Sequence, residues 1–122
     1  MKPEVRFHIR DSSHSAELAI GPGKVALLEA IDQTGSITSS AKLLGMSYRR
    51  AWLLVDETNR CLVRPAVQTI AGGQRGGGAS LTAVGIELVR RYRALERKTG
   101  LAVTRNLKPL LRSVARPART KK

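Results

Sequence analysis

Side chains that could contact a polyanion stand together at the start of one predicted helix. Arg49 and Arg50 follow Ser47 and Tyr48 directly. Positive charges in the first turn of a helix oppose the helix dipole, on a chain that already carries an excess of positive charge. They therefore do little for the helix itself, and the alternative that they form only a solvated face is disfavoured. We interpret Arg49 and Arg50 as residues that meet bases and phosphates.

The elements that must position these arginines are two short helices joined by a turn. Ser36 and Ser47 each offer a side-chain acceptor where a helix should begin, which predicts helices over about residues 36–44 and 47–62. Ala41 is small enough for the helices to cross closely, and Gly45 supplies the turn. The expected core side of the second helix is formed by Ala51, Val55, Thr58 and Leu62. This layout is that of a helix-turn-helix, whose second helix lies in the DNA major groove. Trp52, on the flank of this core side, is interpreted as a packing anchor between helices.

A glycine-rich hairpin follows the second helix. Residues 65–70 and 79–82 have the character of short strands, and they flank Gly72–Gly78, in which five of seven residues are glycine. Such a loop cannot pack a core and exposes its backbone, so Arg75 at its tip could enter a narrow minor groove or hold a phosphate. After a helix-turn-helix, this hairpin is interpreted as the wing of a winged helix-turn-helix.

The remaining elements complete the predicted fold. Alternation of Val5, Phe7 and Ile9 with polar residues predicts a half-buried strand, and Pro22 opens a helix that ends near Gly35. The expected fold is mainly α with a small β-hairpin, a winged helix-turn-helix with a long C-terminal dimerisation helix.

That fourth helix is predicted to begin after the cap Thr82 and to run to about Thr99, before Gly100. Its apolar stripe fits either a dimer interface or the closure of the monomer core. Residues 1–100 are then the DNA-binding domain, and residues 101–122 form a basic, partly disordered tail.

The charge balance supports a polyanion partner. The chain of 122 residues has 22 Lys and Arg against 9 Asp and Glu, a formal net charge of +13. Such an excess favours nucleic acid, because each neutralised phosphate releases counterions. A sequence-nonspecific nucleoid-associated or RNA-binding protein stays open as the alternative. The four aromatic residues are scattered, which disfavours single-strand binding.

Other classes of function find little support. Cys61 is the only cysteine, so neither a disulfide framework within the chain nor a zinc-finger spacing is possible. Asp56 and Glu57 are adjacent carboxylates that point about 100° apart on a helix, and we expect them to pair with Arg60 or Arg49. No nucleophile-and-base set is evident, so no enzyme and no metal site are expected. Without a signal segment or an apolar span, a cytoplasmic location and no membrane contact are expected.

The chain resembles the N-terminal DNA-binding domain of the ModE family, the molybdate-dependent transcriptional regulators. The resemblance covers about residues 20–99. It is carried by Gly35-Ser-Ile37, Gly45-Met-Ser-Tyr48, Ala51-Trp52, Glu57, Asn59, Gly72-Gly73, Gly76-Gly-Gly-Ala79, Leu81-Thr82 and Gly85. The helix-turn-helix part also resembles that of LysR-type regulators, which lack this wing.

The resemblance implies a homodimeric winged-helix regulator that reads a palindromic operator in double-stranded DNA near molybdate-transport or molybdoenzyme genes. The candidate DNA-contacting residues are Ser36, Thr38, Ser47, Tyr48, Arg49, Arg50, Gly73, Gln74, Arg75 and Gly76. Full-length members continue into molybdate-binding modules, for which the sequence up to Lys122 leaves no room. We therefore expect a stand-alone DNA-binding member without a cofactor. Sensing through a partner, or anion binding by the wing, are the alternatives.

Overall fold

The structure is a computed structural model, and it describes residues 3–13, 17–70 and 78–114. Its elements in chain order are β1 (Ile9–Asp11), β2 (Leu18–Ile20), α1 (Pro22–Thr34), α2 (Ile37–Leu44), α3 (Tyr48–Arg60), β3 (Val67–Ile70), β4 (Gly78–Leu81) and α4 (Ala83–Val114). The mainly helical architecture, the small antiparallel hairpin and the long C-terminal helix confirm the predicted winged helix-turn-helix fold. None of the helices in the described part of the chain combines the length and the apolar character needed to cross a bilayer.

The predicted helix caps are confirmed. The Ser36 hydroxyl oxygen accepts a hydrogen bond from the Ser39 amide (3.0 Å), and that of Ser47 accepts one from the Arg50 amide (3.1 Å). The turn between α2 and α3 uses Gly45 at φ 68°, in the left-handed region that favours glycine. At the start of α4, the Thr82 hydroxyl accepts from the Gly85 amide at 3.1 Å.

The N-terminal strand differs from the expectation. Residues 3–10 alternate between half-buried and exposed, as the sequence pattern predicts, but only Ile9–Asp11 forms a strand. Its antiparallel partner is Leu18–Ile20, a strand that the sequence analysis missed. A strand needs a neighbouring segment that accepts and donates its backbone hydrogen bonds, and Leu18–Ile20 supplies only three residues. The strand at the N-terminus is therefore no longer than Ile9–Asp11.

The core lies between α1, α2, α3 and the base of the β3–β4 hairpin. The buried cluster consists of Leu27, Leu28, Ile31, Ile37, Ala41, Ala51, Val55, Ala66, Val67 and Ala79. The hairpin is joined to the end of α1, since the Ala79 amide donates to the Gly35 carbonyl at 2.9 Å. The base of the hairpin is thus part of the same packed unit as the three helices.

The predicted end of α4 at Thr99 is wrong. The helix has 32 residues and passes through both Gly100 and Pro109. A glycine costs about 1 kcal/mol relative to alanine inside a helix, which neighbouring helical turns can outweigh. The division into a domain of residues 1–100 and a tail of residues 101–122 stays a prediction. Helix α4 runs across the boundary between them.

An ion-pair cluster holds the middle of α4 against α1. Arg93 donates from Nε to Glu29 Oε2 (2.9 Å) and from Nη1 to Glu96 Oε1 (2.6 Å). The hydrogen bonds to Glu29, and to a smaller extent the one to Glu96, raise the pKa of Arg93 above its usual value. Because Glu29 is on α1, this pairing fixes the direction in which α4 leaves the core.

Tyr92 of α4 anchors the N-terminal segment. Its ring packs against Phe7, with 4.9 Å between the centroids, and its hydroxyl donates to the Phe7 carbonyl at 2.8 Å. The side chain is almost fully buried, and burial, followed by the charge of Glu96, raises the pKa of its phenol above 10.0. The folded state therefore favours the neutral phenol.

We expect Tyr92→Phe to lower the free energy of unfolding by about 1 kcal/mol at neutral pH, because the hydrogen bond to Phe7 is lost. A raised pKa in the folded state means that the contribution is complete below the ordinary tyrosine pKa of 10.0 and declines as the pH rises above it. Urea unfolding of both proteins at neutral and strongly alkaline pH measures this. A difference between the two proteins that stays constant with pH would contradict the assignment.

Candidate nucleic-acid interface

Helix α3 buries one side and presents the other to solvent. Ala51, Val55 and Thr58 are buried as predicted, whereas Leu62, the fourth residue assigned to this side, lies beyond the end of α3 and is half-buried. Because successive helical residues are about 100° apart, Arg49, Leu53, Asp56 and Arg60 share the opposite side. All four are exposed. We call these four residues the outward face of α3.

The two arginines that the sequence analysis grouped together lie on different sides of the helix. Arg49 belongs to the outward face, and Arg50 lies about 100° further round. Arg50 borders a pocket of about 500 Å³ that is also lined by His8, Arg10 and Lys24. Arg49 can therefore point into a groove in front of α3, while Arg50 is placed with other cations beside the N-terminal strands.

Two aromatic side chains flank the outward face. Tyr48 and Trp52 meet edge to face, with 6.2 Å between centroids and an interplanar angle of 75°. Tyr48 is 52% exposed and Trp52 is 36% exposed. The interpretation of Trp52 as a packing anchor between helices stays a prediction, since its aromatic contact is within α3 and the rest of its surface is mostly covered.

The remaining helix-turn-helix candidates lie at the starts of α2 and α3. Ser36 and Ser47 use their hydroxyl oxygens as caps, so each hydroxyl proton stays available to an outside acceptor. Thr38 and Ser47 are exposed, whereas Ser36 is half-buried. The wing candidates Gly73, Gln74, Arg75 and Gly76 lie outside the described residues, and their roles stay predictions.

Asn59 connects α3 to the hairpin, a role that was not expected from its position in the sequence. Its Oδ1 accepts from the amides of Ala66 (2.8 Å) and Val67 (3.0 Å), and its Nδ2 donates to the Val67 carbonyl (3.1 Å). An asparagine at the end of a helix has many possible partners, so no local signal distinguishes this one. The three bonds fix the first residues of the hairpin relative to α3.

The acidic residues of α3 balance nearby cations. Asp56 pairs with Arg60, one of the expected partners. Glu57 instead pairs with Lys24 of α1 at 3.3 Å, which corrects the predicted pairing. The Lys24 side chain is only 12% exposed and also donates to the Ala19 carbonyl at 2.8 Å, so it ties α3 to α1 and β2. Within the described ranges, no group of His, Cys, Asp and Glu residues could hold a metal ion.

These features define the class of the protein. A capped helix pair with a tight glycine turn, an exposed second helix and an adjoining two-stranded hairpin form a winged helix-turn-helix domain.

The chain is similar to several proteins whose names refer to molybdenum or to transcriptional regulation. It is 44% identical over 78 residues to the molybdenum transport protein ModE of Azotobacter vinelandii, a match that covers 64% of this chain and 29% of that protein. It is 46% identical over 77 residues to the molybdenum-pterin-binding protein MopB of Rhodobacter capsulatus, covering 63% and 28%. It is 38% identical over 76 residues to the DNA-binding transcriptional dual regulator ModE of Escherichia coli K12, covering 62% and 29%.

Over this matched segment the chain is similar to ModE regulators at 38–44% identity. The match spans less than a third of the length of these relatives, as the resemblance to a single domain predicts. No protein-family model matches the chain.

Proposed function

We propose that the chain is a sequence-specific, homodimeric transcriptional regulator that binds double-stranded DNA through α3 and the hairpin. The observation that carries this proposal is the outward face of α3, which is exposed, carries Arg49 and the Asp56–Arg60 ion pair and is backed by the buried residues Ala51, Val55 and Thr58. The relatives named as transcriptional regulators support the same function.

The geometry suggests a division of labour among the contacts. A recognition helix enters the major groove with its first turns, which brings Tyr48 and Arg49 to the bases. Arg50, beside Arg10 and Lys24, is suited to the phosphates at the edge of the groove. Ser47 and Thr38 can donate hydroxyl protons to the same backbone, and the hairpin grips the flanking duplex.

The long helix α4 supports a dimer. Leu95, Leu107 and Leu110 are exposed large apolar residues on this helix. Val103, Leu107 and Leu110 follow one another at spacings of four and three residues, which places them on one side of α4. A second copy that covers this side would place two α3 helices for a palindromic operator.

The relatives also suggest the regulated genes. Their printed names connect them with molybdenum transport and with molybdenum-pterin binding. We infer that this chain acts on genes for molybdate transport or molybdoenzymes, in the cytoplasm where such operators are accessible.

The test is selection from a random duplex pool at near-physiological salt, followed by affinity measurements on selected and random DNA. We expect an inverted repeat with half-sites one or two turns apart and a preference of at least about 10³-fold over random DNA. Arg49→Ala should lose about 5- to 150-fold on the selected site and much less on random DNA. Arg50→Ala should weaken both to a similar extent.

Arg97→Ala is the matched control, because this exposed arginine lies on α4, outside the recognition helix. Recovery of no motif would overturn the proposal in favour of a sequence-nonspecific nucleoid-associated or RNA-binding protein. Equal effects of Arg49→Ala and Arg97→Ala on the selected site would remove α3 from the base-reading role.

A further inference from the structure

Large apolar side chains are exposed on the part of α3 that would enter the groove. Leu53 is 50% exposed on the outward face, directly one turn after Arg49. Tyr48 and Trp52 form a second exposed pair alongside it. Three large apolar residues within the first six positions of α3 therefore leave about a third to a half of their surface open to solvent in the free chain.

The spacing places these side chains at the scale of single base pairs. Residues four apart on a helix have Cβ atoms about 5–6 Å apart, and base pairs are about 3.4 Å apart along the duplex. Arg49 and Leu53 can therefore reach neighbouring or next-nearest base pairs when the helix lies in the groove.

The floor of the major groove offers few apolar partners. Guanine, adenine and cytosine present hydrogen-bond donors and acceptors there, whereas thymine also presents its C5-methyl group. An apolar side chain over a donor or acceptor would remove water without replacing the hydrogen bond, which is unfavourable. The thymine methyl is the base group that gains from contact with leucine or an aromatic ring.

The charges around Leu53 favour DNA over a second copy of this face. The outward face carries Arg49 and the Asp56–Arg60 ion pair, and the chain carries a formal net charge of +13. Two chains of this net charge would repel each other, whereas a polyanion with apolar groups in its groove attracts the chain and offers Leu53 an apolar contact.

On these grounds, and resting on the proposed function, we propose that α3 reads thymines through their C5-methyl groups. Leu53 is the principal specificity-determining residue, and Tyr48 with Trp52 forms a second apolar contact. Arg49 supplies the adjacent contact to hydrogen-bond acceptors. The half-site should accordingly contain at least one thymine whose methyl group, rather than its hydrogen-bonding edge, is required.

The experiment uses the full chain and the operator recovered by selection. Each thymidine of one half-site is replaced in turn by deoxyuridine, which removes only the methyl group and keeps the base pair. We expect one or two positions at which affinity falls about fourfold, the fold-change that corresponds to about 0.8 kcal/mol for one buried methyl or methylene group. Leu53→Ala should abolish the difference between thymidine and deoxyuridine at one of these positions.

Leu43→Ala is the matched control, because Leu43 is 62% exposed on α2 and alanine is well tolerated in both helices. It should leave the thymidine preference unchanged. If the selected motif binds equally well with deoxyuridine at every position, the inference is overturned and the proposed function stands. The same holds if Leu53→Ala and Leu43→Ala change the preference for thymidine over deoxyuridine by the same factor. Selection of no motif overturns the proposed function and the inference with it.

Discussion

Replacing Gly85 with alanine should lower the free energy of unfolding by about 3 kcal/mol, although alanine favours helices. Gly85 is buried in the first turn of α4. A Cβ atom at this position would lie 2.2 Å from the Ala66 carbonyl oxygen and 3.1 Å from its carbonyl carbon. Both are backbone atoms, so no side-chain rotation can relieve the overlap.

The position of Ala66 is fixed on both sides. Its carbonyl accepts from the Thr82 amide at 2.9 Å, and its amide donates to Asn59 at 2.8 Å. Moving Ala66 away from a new methyl group would weaken bonds worth about 1 kcal/mol each, in addition to about 1–3 kcal/mol for overpacking. The higher helix propensity of alanine relative to glycine offsets only about 1 kcal/mol of this destabilisation.

Gly100→Ala in the same helix is the matched control. A Cβ at Gly100 meets nothing within 4 Å, so the substitution should stabilise the protein by about 0.5–1 kcal/mol. Urea unfolding followed by circular dichroism measures both variants. If the two substitutions shift the midpoint in the same direction, the close approach of α4 to the base of the hairpin is not what determines the effect.

Features that depend on neighbouring residues could be predicted from the sequence. Ser36, Ser47 and Thr82 cap helices because a short hydroxyl side chain reaches an amide three residues on, whatever the rest of the fold does. The turn at Gly45 likewise follows from a local backbone requirement. These local rules sufficed for the helix-turn-helix and for the buried side of α3.

Features that depend on distant residues could not be predicted in the same way. Glu57 lies within one turn of Arg60, but its partner is Lys24, which only the packing of α3 against α1 brings near. Gly100 is a local signal for a helix end that the structure does not follow. Trp52 borders the core side, and periodicity alone does not decide how far a residue at such a border is exposed; in the structure it is 36% exposed.

Asn59→Ala should be the second strongly destabilising substitution, lowering the free energy of unfolding by about 3 kcal/mol. Ala66 and Val67 are buried, and both of their amides donate to Asn59 Oδ1. Removing the acceptor would leave two buried donors unpaired, each at a cost of about 1–3 kcal/mol. Asn59→Asp should lose less, since a carboxylate still accepts both amides but no longer donates to the Val67 carbonyl.

We expect the protein with Asn59 to be the most stable, Asn59→Asp to be less stable and Asn59→Ala to be the least stable. This order tests whether Asn59 acts as a hydrogen-bond acceptor for the two amides, because aspartate keeps that acceptor and alanine does not. Asn106→Ala is the matched control: Asn106 also donates to a backbone carbonyl, that of Ala102 at 2.7 Å, but it is exposed within α4. Its loss should change stability by less than about 0.5 kcal/mol. Equal effects of the two alanine variants would show that Asn59 does not hold the hairpin on α3. If the predicted order holds, Asn59 fixes the first residues of the hairpin on α3 through its bonds to Ala66 and Val67, so the two elements keep one relative orientation.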